Sequence, residues 1–246
     1  MNLAEAMVVV RRDWLDDELG SGETDGYVDD DRLIRFLAEA EDEACRRKDL
    51  LFDDTTVADD SSVPISEITI VADTRAYSFS QKITRIERVM YEDVDGNLTT
   101  LTQIGGDELE AQFPTWRVDK GIPCRYLIRG RKIYPLPIPS TNEDANKLKL
   151  EVYRTPVTKV ADPVGPPIDT FEIDEEWHEG LTYWPAHRAF MDRDEDLEDP
   201  AGQKFFYQKF EEIFGPPLSA ATRRNILEEP RDTNFSVEGY NYQGRY

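Results

Sequence analysis

The chain has 246 residues, of which 39% are apolar and 33% are charged, so it can form one or two domains with a hydrophobic core. Its 29 basic and 51 acidic residues give a net charge of −22, which excludes a typical nucleic-acid-binding protein and disfavours an anionic membrane surface. Cys45 and Cys124 fit neither a disulfide framework nor a zinc motif, and no stretch reaches the ~18 apolar residues of a membrane span. The first residues lack the pattern of a signal peptide, so we expect an origin in a reducing cytosol.

Two amphipathic helices are predicted at the start of the chain. The first covers residues 3–18 and begins with a capping box formed by Asn2 and Glu5. The second covers residues 30–49, with Asp29 at its cap and a basic last turn. Their apolar positions recur at helical spacing and are Leu3, Met7, Val10 and Trp14 in the first helix and Leu33, Leu37, Ala40 and Ala44 in the second.

From about residue 60 the apolar period changes from 3.6 to 2, which predicts strands. The predicted strands are Glu67–Val71, Arg85–Tyr91, Leu98–Thr102, Arg125–Arg129, Lys132–Leu136 and Lys147–Arg154. Asp95-Gly96 predicts a hairpin, Gly130 a second tight turn, and Pro135–Pro139 an edge of the sheet. These features together indicate an antiparallel β-sandwich or barrel.

Helical spacing returns after a proline-rich linker. One helix, capped by Asp174, is predicted to carry an apolar face of Ile173, Trp177, Leu181, Trp184 and Met191. A second begins at Asp199 and Pro200, presents Phe206, Phe210 and Ile213, and ends at Gly215-Pro216-Pro217.

The predicted fold class is therefore α+β. A bundle of about four helices, with residues 1–60 as its first part and residues 170–215 as its second, contains an inserted antiparallel β-rich domain at residues 61–169. Residues 216–246 have no sustained apolar period and are predicted to be an extended C-terminal tail.

No catalytic, metal or cofactor site is predicted. His178 does not begin an HExxH motif, and His187 lies nine residues further on. Both histidines are therefore interpreted as polar surface residues. The runs beginning at Asp93 and Asp192 depart from a calcium loop and are interpreted as solvated turns. The pairs Glu175-Glu176 and Glu211-Glu212 are not distinguished from the many other acids, and Cys45 fits a packing position.

Two groups of residues are candidates for contacts with partners. The later helices are rich in aromatic side chains, which fit either a thick core or packing between subunits, and the candidates for the latter are Trp177, Trp184, Phe206 and Phe210. The last 30 residues fit either a disordered end or a tail that orders on a partner. The candidate partner-binding residues there are Arg223, Arg224, Arg231, Phe235, Tyr240, Tyr242 and Tyr246.

Four stretches of this layout resemble a known family. They are the helix Asp31–Arg47; the segments Arg75–Phe79 and Ile83–Val89; the segments Gly121–Tyr126, Lys132–Pro137 and Leu150–Pro156; and Glu176–Ala186 with Phe206–Phe210. In order and spacing the set resembles the head–tail adaptor (connector) proteins of tailed bacteriophages, including the tubular adaptors of T7-like podophages. One departure is Pro185, which is expected to kink or break its helix.

The resemblance implies a non-enzymatic structural protein without a cofactor. Adaptors of this kind form a ring of about twelve copies beneath the portal protein, extend the DNA channel and carry the tail tube, nozzle or head-closure protein. The implied location is the head–tail junction of the virion, after assembly in the host cytoplasm. Double-stranded DNA would pass through the lumen without specific binding, no membrane is involved, and the C-terminal segment would engage the portal.

Two alternatives remain open at this point. The chain could be another phage neck or baseplate protein, which would lack a ring with affinity for the portal. It could also be an acidic cytosolic hydrolase, which would need a concave pocket containing an acid or base of perturbed pKa.

Overall fold

The computed structural model describes residues 1–16, 28–57, 63–158, 160, 169–191 and 199–229. The helices are α1 Leu3–Val9, α2 Asp30–Arg47, α3 Gly106–Gln112, α4 His178–Leu181, α5 Tyr183–Ala189, α6 Pro200–Phe214 and α7 Ala220–Glu228. The strands are β1 Leu51–Asp53, β2 Glu67–Thr69, β3 Tyr77–Ser78, β4 Ile83–Glu92, β5 Leu98–Thr100, β6 Thr102–Gln103, β7 Arg125–Arg129, β8 Lys132–Leu136 and β9 Lys147–Arg154. A π-helical turn, Val10–Trp14, continues α1, and 3₁₀ turns occupy Thr141–Glu143 and Glu175–Trp177.

The first two helices begin at the predicted caps. Asn2 accepts a hydrogen bond from the backbone N–H of Glu5, whose side chain accepts one from the backbone N–H of Asn2, so the capping box is confirmed. The Asp29 side chain accepts from the backbone N–H of Arg32 at the start of α2. The apolar stripe of α2 is fully buried, as its spacing predicts.

The strands form two sheets that pack face to face. The first sheet has the order β1-β9-β4-β5, with β2 also paired to β9, and all its pairs are antiparallel. The second has the order β3-β8-β7-β6, and its β6–β7 pair is parallel. Val89, Leu150 and Val152 of the first sheet share one core with Ile128 and Ile133 of the second. The arrangement is therefore a sandwich.

The second sheet is buried on its outer face as well. Leu127 of β7 points away from the shared core and packs with Leu109 of α3 and with Trp116. The helix α3 was missed by the sequence analysis. Seven residues span only two helical turns, too few to display a helical period.

The early and late helices pack together into one helical body. Leu3 of α1, Leu37 of α2, Leu181 of α4 and Phe210 of α6 belong to the same buried cluster. At Gly180 a Cβ atom would lie 3.0 Å from ring atoms of Phe214, so α4 and α6 approach closely there. The chain enters the sandwich after α2 and returns to the helical body at about residue 170.

Several elements differ from their predicted form. The helix predicted from Asp174 is divided into a 3₁₀ turn, α4 and α5, with the break at Thr182, because the ring nitrogen of Pro185 cannot donate a hydrogen bond to Leu181. The strand β1, within the segment assigned to the helical bundle, pairs with β9. Pro135 lies in β8, which stands between β3 and β7, so it is not on an edge strand as expected; it is tolerated there because the pairing with β3 ends at Ile133.

Candidate assembly surfaces

The aromatic side chains of the late helices pack mostly within the chain. Phe210 is completely buried and Phe206 is 7% exposed. The ring centroid of Phe210 lies 5.0 Å from that of Trp184 and 4.6 Å from that of Phe214. Because Phe210 has no exposed surface and Phe206 very little, both side chains belong to the core of the chain, which accounts for this aromatic face without a second subunit. Trp177 and Trp184 are half-buried against this core, and their contact with another subunit stays a prediction.

Arg47 joins the end of α2 to the end of α6. Its side chain is 2% exposed, and its Nε atom donates to Glu43 at 2.8 Å. Its Nη1 atom donates at 3.0 Å to the carbonyl oxygen of Gly215, the residue that ends α6. The guanidinium lies over three rings, at 5.6 Å from the centroid of Trp184, 5.5 Å from Tyr207 and 5.1 Å from Phe210. The buried cation is thus compensated by a carboxylate, a carbonyl and aromatic faces.

A chain of buried polar contacts connects the helical body to the sandwich. One carboxylate oxygen of Glu41 in α2 accepts from the backbone N–H groups of Glu172, at 2.6 Å, and Ile173, at 3.2 Å. The Glu172 carboxylate in turn accepts from Arg154 of β9 at 2.5 Å and from the backbone N–H of Thr158 at 2.7 Å. Burial raises the pKa of Glu41 to about 7. These contacts fix where the returning chain meets α2.

His178 and His187 are buried, so their assignment to the polar surface is wrong. The ring nitrogens of His178 lie 2.7 Å from the carbonyl oxygen of Met1 and 2.8 Å from that of Ile173. Nδ1 of His187 lies 3.0 Å from the carbonyl oxygen of Gln203, and burial lowers the pKa of His187. In both cases a backbone carbonyl from a distant segment compensates the burial, which sequence spacing does not reveal.

The acidic runs show no arrangement of metal ligands. The Asp93 carboxylate accepts from the backbone N–H groups of Asp95 and Asn97, both at 2.9 Å, and closes the predicted solvated turn; its hydrogen bonds with Asn97 lower the pKa of Asp93. Asp192, Asp194 and Asp196 lie outside the described residues. Within the described ranges, no cluster of three or more His, Cys, Asp or Glu side chains is placed to hold a metal ion.

The helix α7 lies against the sandwich. Leu227 is 8% exposed and joins the core between the sheets. Gln103 Nε2 donates to the carbonyl oxygens of Leu227 at 3.2 Å and Glu228 at 3.3 Å, while the backbone N–H of Gly130 donates to the Glu228 carboxylate at 2.8 Å. The segment from residue 216 is therefore not extended throughout, since Ala220–Glu228 are helical.

The candidate partner-binding residues of the tail divide into two groups. Arg223 and Arg224 are exposed on α7. The others lie outside the described residues and are Arg231, Phe235, Tyr240, Tyr242 and Tyr246.

A cavity of about 350 Å³ lies where α2, the start of β4 and α7 meet. Its charged lining consists of Arg46, Lys82, Arg131 and Arg223 together with Asp42 and Asp49. Its apolar lining consists of Ile83, Leu218, Ile226 and Leu227. Sequence reasoning singled out Arg223 but missed the cavity, because its residues come from segments that are far apart in the chain.

Arg131 lines this cavity, and its side chain is held by backbone carbonyl groups. Its Nη2 atom donates to the carbonyl oxygens of Ser80 at 2.5 Å and Ile83 at 2.9 Å, so among the described residues its charge is compensated by neutral groups. Burial accordingly lowers the pKa of Arg131.

A smaller apolar cavity of about 100 Å³ lies on the outer face of the second sheet. Its lining includes Phe113, Trp116, Cys124 and Leu136. The neighbouring loop exposes Val118 and Ile122, at 70% and 64%. Elsewhere single apolar side chains are exposed, including Phe205 on α6 at 50%.

The chain matches a known protein family. The family model for the SU10 adaptor protein matches residues 1–230, which span the helical body, the sandwich and α7. No curated protein matches the chain. Among the described helices, none has the length and apolar character needed to cross a membrane.

Proposed function

The chain belongs to the SU10 adaptor protein family and is a structural adaptor of a phage, and from this premise we propose that it forms a ring beneath the portal at the head–tail junction. The observation that carries the proposal is the family match over residues 1–230. In the proposed virion the ring extends the DNA channel and provides the attachment platform for the tail. The tubular form seen in T7-like adaptors is part of this proposal.

The charge of the chain supports a channel through which DNA slides. A ring of about twelve copies, each with a net charge of −22, would carry on the order of −260 charges before neutralisation. Acidic groups facing the lumen would repel the phosphate backbone and prevent specific binding. In the proposed mechanism the chain binds its partner proteins and DNA passes through the ring, with no covalent step.

The proposed partners are the portal protein, a tail tube, nozzle or head-closure protein, and further copies of the chain. For the portal contact we propose the C-terminal segment beyond α7, together with Arg223 and Arg224. Both arginines are exposed on a helix that is held to the sandwich mainly by Leu227 and Glu228. For contacts between copies we propose the half-buried indoles of Trp177 and Trp184.

The buried acid Glu41, whose pKa is raised, does not support a function as a hydrolase. Glu41 has the raised pKa of a general acid, but it is 1% exposed, it accepts two backbone hydrogen bonds, and it lines none of the cavities described above. An acid that cannot reach solvent or substrate cannot act as a general acid.

Native mass spectrometry tests the proposal directly. The chain would be measured alone and after mixing with the portal protein of the same phage. We expect a complex in which about twelve copies are bound to one portal ring. A chain that stays monomeric in both samples would overturn the proposal and favour another neck or baseplate protein.

A further inference from the structure

We propose that the cavity between α2, the start of β4 and α7 binds a carboxylate-bearing segment of a second copy of this chain. This inference rests on the proposed ring, because it assigns the cavity to the contact between neighbouring copies. The cavity holds an excess of positive charge on a chain whose net charge is −22.

None of the four cations of the cavity forms an ion pair within the part of the chain that the structure describes. Lys82 Nζ donates to the carbonyl oxygen of Pro156 at 2.5 Å, and Arg131 donates to two carbonyl oxygens. Arg46 and Arg223 are exposed, and their side chains make no hydrogen bond with another described residue. The lining contains four cations and two carboxylates, an excess of positive charge in a chain with 51 acids and 29 bases.

The two carboxylates of the cavity do not balance this charge. Asp49 pairs with Arg85, which does not line the cavity. Asp42 alone is one carboxylate beside four cations. An added carboxylate would therefore meet the exposed guanidinium group of Arg46, which can bind a carboxylate through two parallel hydrogen bonds.

The shape and apolar lining of the cavity favour a peptide over a free anion. A volume of about 350 Å³ is within the range of ligand-binding cavities, roughly 300–1,000 Å³. Leu218 and Ile226 also line the cavity, so an occupant can bury apolar atoms beside its carboxylate. A phosphate ion would leave that apolar surface uncovered.

A second copy of the chain is the occupant that the charges favour. Duplex DNA would be repelled at long range by the net charge, whereas a neighbouring copy supplies an excess of carboxylates, 51 acids against 29 bases. In a closed ring each interface joins two different faces of the subunit, so a basic cavity on one face can receive an acidic segment of the opposite face.

The test uses Arg46, which lines the cavity but lies outside the tail proposed for portal binding. Arg46→Glu reverses one charge of the cavity. Lys204→Glu makes the same change of charge at an exposed position on α6 and serves as the matched control. Arg46→Gln removes the charge without reversing it, which keeps the test decisive if Arg46→Glu folds poorly. Urea unfolding confirms that each variant is folded.

Each full-length variant would be titrated onto the portal ring and the bound copies counted by native mass spectrometry. We expect the wild-type chain and Lys204→Glu to fill the ring cooperatively. Arg46→Glu should still bind the portal but fill it non-cooperatively, with half-filling at a concentration at least roughly tenfold higher. Arg46→Gln should show a smaller shift in the same direction.

The possible failures are distinguishable. Cooperative filling by Arg46→Glu at the wild-type concentration would overturn this inference and leave the proposed function intact. A wild-type chain that does not assemble on the portal would overturn both. Binding of a fluorescent 30-base-pair duplex that is lost in Arg46→Glu would assign the cavity to nucleic acid instead, against the inference.

Discussion

The buried carboxyl of Glu41 should make the stability of this protein depend on pH in a predictable direction. Burial raises its pKa from the ordinary value of 4.5 to about 7 in the folded chain. A carboxyl with the higher pKa in the folded state binds its proton more tightly when folded. Its contribution to the free energy of unfolding is therefore greatest below the unfolded pKa and falls as pH rises through the folded pKa.

The size of the effect follows from these two pKa values. Between about pH 5.5 and about pH 8, ionisation of Glu41 should lower the free energy of unfolding by about 2 kcal/mol. In Glu41→Gln this dependence is removed, while the amide oxygen can still accept from the backbone N–H groups of Glu172 and Ile173. The variant should thus gain about 2 kcal/mol relative to the wild type over that pH range.

Urea unfolding at both pH values measures this difference. The other carboxyl groups titrate in both proteins, so their contributions cancel in the comparison. Glu176→Gln, at an exposed position of the 3₁₀ turn before α4, is the control and should show no such gain. If the stability difference between Glu41→Gln and the wild type is the same at both pH values, the burial argument for Glu41 is wrong.

Three further changes test the packing and the tail. Gly180→Ala should lower the free energy of unfolding by about 1–3 kcal/mol despite the better helix propensity of alanine, since its Cβ would press on the buried ring of Phe214; an unchanged urea midpoint would contradict this. Arg47→Met should cost about 2–3 kcal/mol in the same assay because it leaves the Gly215 carbonyl unpaired, and Arg47→Lys should recover only part of that loss. Deleting residues 230–246 should leave the urea midpoint unchanged but abolish binding to the portal ring in native mass spectrometry, and unchanged affinity would refute the tail proposal.

Elements with a long, regular period were predictable from the sequence. The strands β7, β8 and β9 begin and end at the predicted residues, and α2 differs only at its end. Their alternating or helical patterns persist over five or more residues, so the buried face is encoded locally. The short elements β1, β3 and β6 have two or three residues each and depend on the strands beside them. No period can be recognised over such a length.

The candidate contact surfaces were less predictable because they depend on distant segments. The sequence shows that Phe206 and Phe210 share a helix face, but whether that face meets another helix or another subunit is decided by α4 and α5. The polar helix α7 has one buried apolar side chain, Leu227, which is too few to create a period. Its position comes from the hydrogen bonds of Gln103 and Gly130, which are far from it in sequence.

The charge of the chain imposes opposing requirements on assembly. Copies with a net charge of −22 repel one another. Salt weakens this repulsion between exposed charges that are more than about 8 Å apart, which is the Debye length at physiological ionic strength. A carboxylate in contact with the half-buried cavity at Arg131 is screened much less, because it is partly removed from solvent. Moderate salt should therefore weaken the repulsion between copies more than the local attraction. An acidic ring can form under these conditions if cations of one copy meet carboxylates of the next.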